Sequence, residues 1–305
     1  MITDAFFKKV LDIQSENVTK DVDMSALTTF KIGGKADVLI EPKSIDAFSR
    51  LLKLCKEESV PCVLIGAGSN LLVSDKGVSG VVFKLSDAFD YVNIDGNEIE
   101  AGAAVSLAKL SKCAQRASLS GLEFASGIPG TLGGALVMNA GAYGGEMKDV
   151  VLETVYLDED GEIKKVIGDE HLFSYRKSVF SGGDKYIISC KMRLIPKNAD
   201  EILAEMAELN KRRKEKQPLD KPSAGSTFKR PEGYFAAKLI EDAGLKGLSV
   251  GGARVSEKHA GFVVNDTGNA TEKDVSCLIA EVQRIVFEKF GVKLSPEIKF
   301  IGNKE

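Results

Sequence analysis

Histidine is nearly absent from this sequence: His171 and His259 are the only two. The five cysteines, Cys55, Cys62, Cys113, Cys190 and Cys277, are scattered, and none forms a Cys-x-x-Cys pair. A zinc site has too few ligands to form, and no metal is expected. Odd, dispersed thiols do not make a disulfide framework either, so we read them as reduced thiols of a cytosolic protein. No apolar run approaches the ~18–20 residues that cross a bilayer. The opening stretch MITDAFFKKVLDIQ puts charges where an export signal needs an apolar core, so a cytoplasmic location without membrane attachment is expected. The formal net charge of −3 offers no electrostatic basis for binding nucleic acid or an anionic membrane. Internal repeats and low-complexity segments are missing too. Nothing fixes an oligomeric state, and a monomer is compatible with the sequence.

What is present is a chain of 305 residues, enough for two or three domains. Capping residues and apolar periodicity predict helices over Asp4–Gln14, Ile45–Glu58, Ser106–Leu119, Ala199–Lys216, Tyr234–Ala243 and Glu272–Phe290. Strands are predicted at Val60–Ile65, Val78–Leu85, Tyr91–Ile94, Glu98–Ala101, Val150–Leu157, Ile163–Val166, Tyr186–Leu194, Gly261–Asn265 and Glu297–Ile301. Thr29–Glu41 reads as strand, Gly-Gly turn, strand. Helices and strands mixed without strict alternation imply an α+β fold rather than a doubly wound sheet.

Two segments carry an unusual pattern. In Gly66–Leu71, GAGSNL, a strand enters a tight small-residue turn, as at the start of a dinucleotide-binding fold. The third glycine of that fingerprint is missing, Leu71 standing in its place, and Leu72 and Val73 continue as a strand rather than a helix. Asp87 lies ~20 residues on, where a ribose-binding acid is expected, but without the helix that match counts for little. What remains is a run of backbone N–H groups able to form an anion nest, or an ordinary strand–turn–strand corner. Residues 121–145, GLEFASGIPGTLGGALVMNAGAYGG, hold eight glycines. Within them Gly127–Gly134 sets a tight loop, Gly133 and Gly134 admit a ligand close to the backbone, and Thr131 is placed to cap a following helix. The competing reading is a small-residue helix packed on a sheet. Taken together, the two loops suggest a diphosphate gripped from two sides.

The ordered set TTFKIGG, GAGSNLL, GIPGTLGGALVMNAGAYGGE, SYRKSVF, SAGSTFKRP and EIKFIG resembles the UDP-N-acetylenolpyruvoylglucosamine reductases from Thr28 to Gly302. These flavoenzymes make UDP-N-acetylmuramate for the bacterial cell wall. The resemblance implies two FAD-binding subdomains of the vanillyl-alcohol-oxidase type, at 1–85 (completed by 296–305) and 86–212, and a C-terminal α+β substrate domain at 213–295. It implies FAD gripped by Gly66, Ala67, Gly68, Ser69, Asn70 and Leu71 from one side. From the other come Gly127, Ile128, Pro129, Gly130, Thr131, Gly133 and Gly134, with Asn139, Ala140 and Gly141 behind. Neither glycine-rich segment contains His or Cys, so the flavin is expected to be non-covalent, with NADPH as the hydride donor.

The same resemblance assigns Arg176 as the catalytic arginine, Ser226 as the proton donor and Glu297 as the catalytic glutamate. Singly these are a salt-bridged arginine, a turn serine and a charged strand start; it is their order that gives them weight. The chemistry needs these types. Hydride addition to an enolpyruvyl β-carbon drives charge onto the carboxylate side, where a guanidinium stabilises it. The α-carbon then takes a proton, which a hydroxyl among cations can give. Lys216, Arg230 and Lys299 are the implied contacts to the UDP-N-acetylglucosamine enolpyruvate, while the rest of the run 211–216 reads as cations at a helix C-terminus. Only fifty positions separate Arg176 from Ser226, with no tyrosine after Tyr186 between them, which matches the short form lacking a substrate-covering tyrosine loop. Two rivals stand beside this reading: another flavin oxidoreductase on the same scaffold, and a non-catalytic flavin- or nucleotide-binding module.

Overall fold

A computed structural model describes residues 2–303, and its described residues form two compact units. Of the described residues, the first takes 2–20, 38–67 and 80–213, and the second 21–37, 68–79 and 214–303. The five cysteines are free thiols.

The chain has two larger sheets, each with an apolar core against it. One sheet has four strands in the order Val18–Asp23, Lys35–Ile40, Val78–Lys84, Cys62–Ile65, the last pair running parallel. The helix Ile45–Glu57 packs here because Ser44 caps it, accepting from Ala47 N–H at 3.1 Å, and because its apolar face buries Phe48, Leu51 and Leu52. Phe48 meets Phe83 edge-on at 5.1 Å and Tyr186 at 5.7 Å. Burying each such ring contributes about 1.5–3 kcal/mol. The other sheet is antiparallel, in the order Ile163–Ile167, Val151–Leu157, Tyr186–Arg193, Glu98–Gly102, Val92–Asp95. Its core gathers Ile99, Val105, Leu110, Leu132, Leu136 and Met192.

The second unit centres on the helix Glu272–Phe290. Thr271 and Asp274 form a capping box at its start, and Gly291, with φ +68°, ends it. Asp75 adds a second cap, its carboxylate accepting from Glu272 N–H at 2.8 Å and Lys273 N–H at 3.2 Å. The helix lays Val275, Leu278, Ile279, Val282 and Val286 against Phe30, Ile32, Leu72 and Val263. Strand Lys299–Ile301 runs parallel to Leu71–Val73.

Several sequence readings need correction. The strand expected at the start of Thr29–Glu41 does not form; Lys31 turns the chain with φ +59°, and Phe30 and Ile32 drop into the core. The partner strand is Val18–Asp23 instead. The last strand begins at Lys299, two positions beyond Glu297. Segments 21–37 and 68–79 cluster with the C-terminal part because Phe30, Ile32 and Leu72 are buried in its core.

His171, in the first unit, is buried and neutral. Its Nδ1 lies 2.7 Å from Gly168 O, which can only accept, so Nδ1 carries the hydrogen; Nε2 then accepts from Thr154 Oγ1 at 2.9 Å. Burial, with Phe173 stacked on the ring, holds its pKa below the ordinary value, and burial lowers that of His259 likewise. Both therefore favour the fold while neutral. Their contribution is complete above the unfolded pKa of about 6.5 and is lost as pH falls from there through the folded values. The melting temperature should be flat above pH 7 and decline as pH drops below about 6.5. In a His171→Gln/His259→Gln variant the decline above pH 5 should be shallower; an unchanged slope there would assign it to other groups.

Candidate functional site

In the first unit the two glycine-rich segments meet. Strand Cys62–Ile65 delivers Gly66 to a place where a Cβ would lie 2.6 Å from Thr131 Oγ1. Only glycine permits that approach. Thr131 is held by an antiparallel bridge to Ser106, with Leu107 N–H donating to Gly130 O at 3.0 Å and Leu132 N–H to Val105 O at 2.8 Å. Gly133 N–H donates to Ala103 O at 2.9 Å. Thr131 caps the helix Leu132–Val137, accepting from Gly134 N–H at 3.4 Å. At six residues this helix is too short for the dipole argument the sequence suggested, so any anion grip rests on individual N–H groups. Among the described residues, the N–H groups of Gly130 and Thr131 meet no protein acceptor. A Cβ on Gly134 would meet nothing nearer than Thr131 Oγ1 at 3.6 Å. A small open cradle with bare backbone donors fits the diphosphate of an FAD.

The glycines are not equivalent. Gly68 belongs to the second unit, where with φ +65° a Cβ would fall 2.1 Å from Leu27 O and 2.8 Å from Thr28 Cα. It is required for packing. Asn70 Nδ2 donates to Glu297 O at 3.3 Å, Asn70 O accepts from Lys299 N–H at 2.8 Å, and Leu71 pairs with Lys299. These two residues of the sequence-predicted cofactor set hold the segment that carries Glu297.

Two residues of the long helix Ala199–Lys216 escaped the sequence reading. Arg213 Nη1 donates to Gly127 O at 2.5 Å, and Asn210 Nδ2 donates to Ser126 Oγ at 3.2 Å. A Cβ on Gly127 would strike Asn210 Oδ1 at 2.2 Å. Burial pushes the Arg213 guanidinium below its ordinary range, opposed by the Tyr143 hydroxyl. The available signal was an i, i+3 pair on one helix face, hidden in a run explained by the helix end.

Arg176 sits in a two-residue turn. Ser174 N–H donates to Lys177 O at 3.0 Å and Lys177 N–H to Ser174 O at 3.2 Å. Its backbone is left-handed at φ +55°, and Nη2 donates to Gly141 O at 3.3 Å, with Tyr175 stacked at 5.1 Å. Asn139 is fully buried with φ +41°, and its side chain is turned into the protein rather than toward the cradle. Ala140 follows, its N–H donating to Ala135 O at 2.8 Å and its carbonyl accepting from Met147 N–H at 3.0 Å.

In the second unit Ser226 is exposed and precedes buried Thr227, whose Oγ1 accepts from Val263 N–H at 2.9 Å. Thr227 O accepts from Glu297 N–H at 2.8 Å beside a Phe228↔Pro296 bridge. This backbone pairing thus sets the segments carrying Ser226 and Glu297 side by side. Arg230 lies over the ring of exposed Phe235 at 4.6 Å, and Lys216 and Lys299 are exposed.

Comparison with known proteins identifies the family. The family described as "FAD binding domain" matches residues 36–167, and "UDP-N-acetylenolpyruvoylglucosamine reductase, C-terminal domain" matches 217–301. The UDP-N-acetylenolpyruvoylglucosamine reductase of Caldanaerobacter subterraneus subsp. tengcongensis is 54% identical over 281 residues, 92% of each chain. That of Agathobacter rectalis is 50% identical over 310 residues, 97% of this chain and 98% of the relative. The crystal structure of the Thermus caldophilus enzyme superposes with TM-score 0.81 at 37% identity, over 92% of this chain and 98% of that one. Alkyldihydroxyacetonephosphate synthase superposes with TM-score 0.51 at 15% identity over 64% of this chain and 41% of that one, a likeness of fold alone. The fold is therefore the α+β, FAD-binding type expected, and the chain belongs to the UDP-N-acetylenolpyruvoylglucosamine reductase family.

Proposed function

We propose a residue assignment for the reaction this family membership gives the chain. It is an FAD-dependent oxidoreductase that reduces UDP-N-acetylglucosamine enolpyruvate to UDP-N-acetylmuramate in bacterial peptidoglycan precursor synthesis, with NADPH as reductant. What FAD supplies when bound is the hydride that reaches the enolpyruvyl β-carbon. The observation that carries the assignment is the hydrogen bond from Arg176 Nη2 to Gly141 O, which ties the arginine to the end of the glycine-rich segment forming the cradle.

Gly66, Ala67, Gly130, Thr131, Gly133 and Gly134 hold the FAD diphosphate through backbone N–H groups and space. The guanidinium of Arg176 stabilises charge developing on the substrate carboxylate. Ser226 gives its hydroxyl proton to the α-carbon, and exposure on a rigid pairing suits a donor that meets a bound substrate. Glu297, held through Asn70 and Thr227, orients the substrate's carboxyl region and the proton donor. Lys216, Arg230 and Lys299 supply cations for the UDP phosphates. Free thiols and NADPH use support a cytoplasmic site of action. With no His or Cys in either glycine-rich segment, the flavin is held without a covalent bond and should leave with denaturation.

The glycines give one test. Gly134→Val should leave the melting temperature of flavin-free protein within a few degrees while raising the FAD dissociation constant at least ~10-fold, because its Cβ enters open space. Gly68→Val should instead destabilise the flavin-free protein by ~1–3 kcal/mol or more, since a left-handed backbone and a packed carbonyl both oppose it. If Gly134→Val binds FAD normally, the cradle is misplaced.

Ser226 gives the other, read by stopped-flow flavin absorbance in separate half-reactions. Ser226→Ala should leave anaerobic bleaching by NADPH nearly intact but slow reoxidation by UDP-N-acetylglucosamine enolpyruvate by ~10²–10⁴-fold. Ser226→Cys should retain more activity than alanine, since a thiol can still donate. Equal slowing of both halves would make Ser226 part of the flavin site.

A further inference from the structure

Asn139 was expected among the cofactor contacts, yet its buried side chain has no hydrogen left to donate to a ligand. Both hydrogens of Nδ2 are spent, one on Glu146 Oε2 at 2.8 Å and one on Ser174 O at 3.2 Å. Oδ1 accepts from Lys148 N–H at 3.0 Å. The orientation of the amide is unambiguous, because two acceptors face one end and a donor faces the other. The residue is fully buried, and its left-handed backbone, φ +41°, is one that asparagine tolerates better than most.

The second of those acceptors is the informative one. Ser174 O also receives Lys177 N–H, one of the two bonds that close the turn carrying Arg176. Asn139 therefore grips the carbonyl on which that turn depends. Two positions further along its own segment, Gly141 O receives the guanidinium itself at 3.3 Å. Ser178 Oγ, just after the turn, donates to Val137 O at 2.9 Å. The turn is thus fastened to 137–141 at three points, and within it Arg176 keeps a left-handed conformation that residues other than glycine seldom adopt. Such a conformation persists only where surrounding contacts over-determine it.

We propose that Asn139 is a positioning residue, which fixes the 174–177 turn and through it the Arg176 guanidinium, and that it is not a cofactor ligand. The proposal rests on the reading of Arg176 given above. It separates the segment 127–141 into two tasks: the glycines at its start make space for the flavin, and the asparagine near its end aims a side chain at the substrate.

The test uses the full-length holoenzyme carrying Asn139→Gly, which deletes the amide but keeps the left-handed backbone unstrained. FAD affinity, followed by flavin fluorescence, should change by less than about threefold, and flavin bleaching by NADPH should be equally little affected, as expected for a group that touches neither. Reoxidation by substrate should slow ~10–100-fold, the size expected when a catalytic group is misplaced. Asn139→Gly added to Arg176→Ala should slow that step no further, the non-additivity of residues acting as one unit. The amide of Lys177 should exchange ~10-fold faster with solvent, the loss of about one hydrogen bond's support. Unchanged Lys177 exchange would overturn the proposal whatever Arg176 does. So would an FAD dissociation constant raised tenfold with both half-reactions slowed alike, which would make Asn139 a cofactor residue. Normal reoxidation in Arg176→Ala alone would instead remove the arginine from the mechanism, leaving the hold on the turn to be judged by exchange.

Discussion

Everything at the cradle depends on leaving out side-chain atoms where one stretch of chain must lie against another. Gly66 faces Thr131 Oγ1, Gly133 faces Ala103, Gly145 faces the Phe124 ring, and Gly141 faces Glu146. At each place a Cβ would come within 2.6 to 3.1 Å of a neighbour. Contacts that close let short segments lock together through backbone hydrogen bonds, and the bonds leave a few N–H groups over for an anion. No long helix is required for the proposed phosphate grip, so the small-residue turn after Ile65 can run straight on into a strand, Leu71–Val73. The proposed grip comes from Gly66 and the 130–134 loop meeting side on in the first unit, without the dipole of a Rossmann helix.

Where local chemistry decided the outcome, the sequence was legible to the residue. Helices Ala199–Lys216 and Glu272–Phe290 have the predicted ends, the second because a threonine cap and a left-handed glycine bracket it. Strand Val18–Asp23 was missed because VTKDVD alternates weakly and stays largely exposed, held by its neighbour rather than by its own pattern. Thr29–Ile32 has strand composition but is drawn into a core made mostly by residues some two hundred positions away. The site divides in the same manner. Backbone space at Gly66 and Gly134 could be inferred from composition, whereas the hold of Arg213 on Gly127 could not, since nothing near residue 127 announces a helix beginning at Ala199.

The arginine turn shows how a mobile side chain becomes a fixed charge. An arginine on a loose loop would spend much of its time elsewhere, and in the role proposed for Arg176 the entropy of recruiting it would weigh on each turnover. In a turn of two residues, with a neighbouring aromatic under the guanidinium and a carbonyl at its tip, that entropy is already spent in folding.

The second unit is assembled from pieces that lie far apart in the chain, 21–37, 68–79 and the part beyond Arg213. A ribosome releases the first two pieces long before the third. Phe30, Ile32 and Leu72, destined for full burial, must therefore remain without their partners while more than a hundred residues of the first unit are made. Asp75 likewise waits for the helix it caps, Glu272–Phe290. Pairings of such long range close late and slowly, and until they close, apolar strands are open to other chains. For this protein the vulnerable moment of synthesis is the interval before the C-terminal helix emerges, and chaperone binding to the nascent chain should concentrate there.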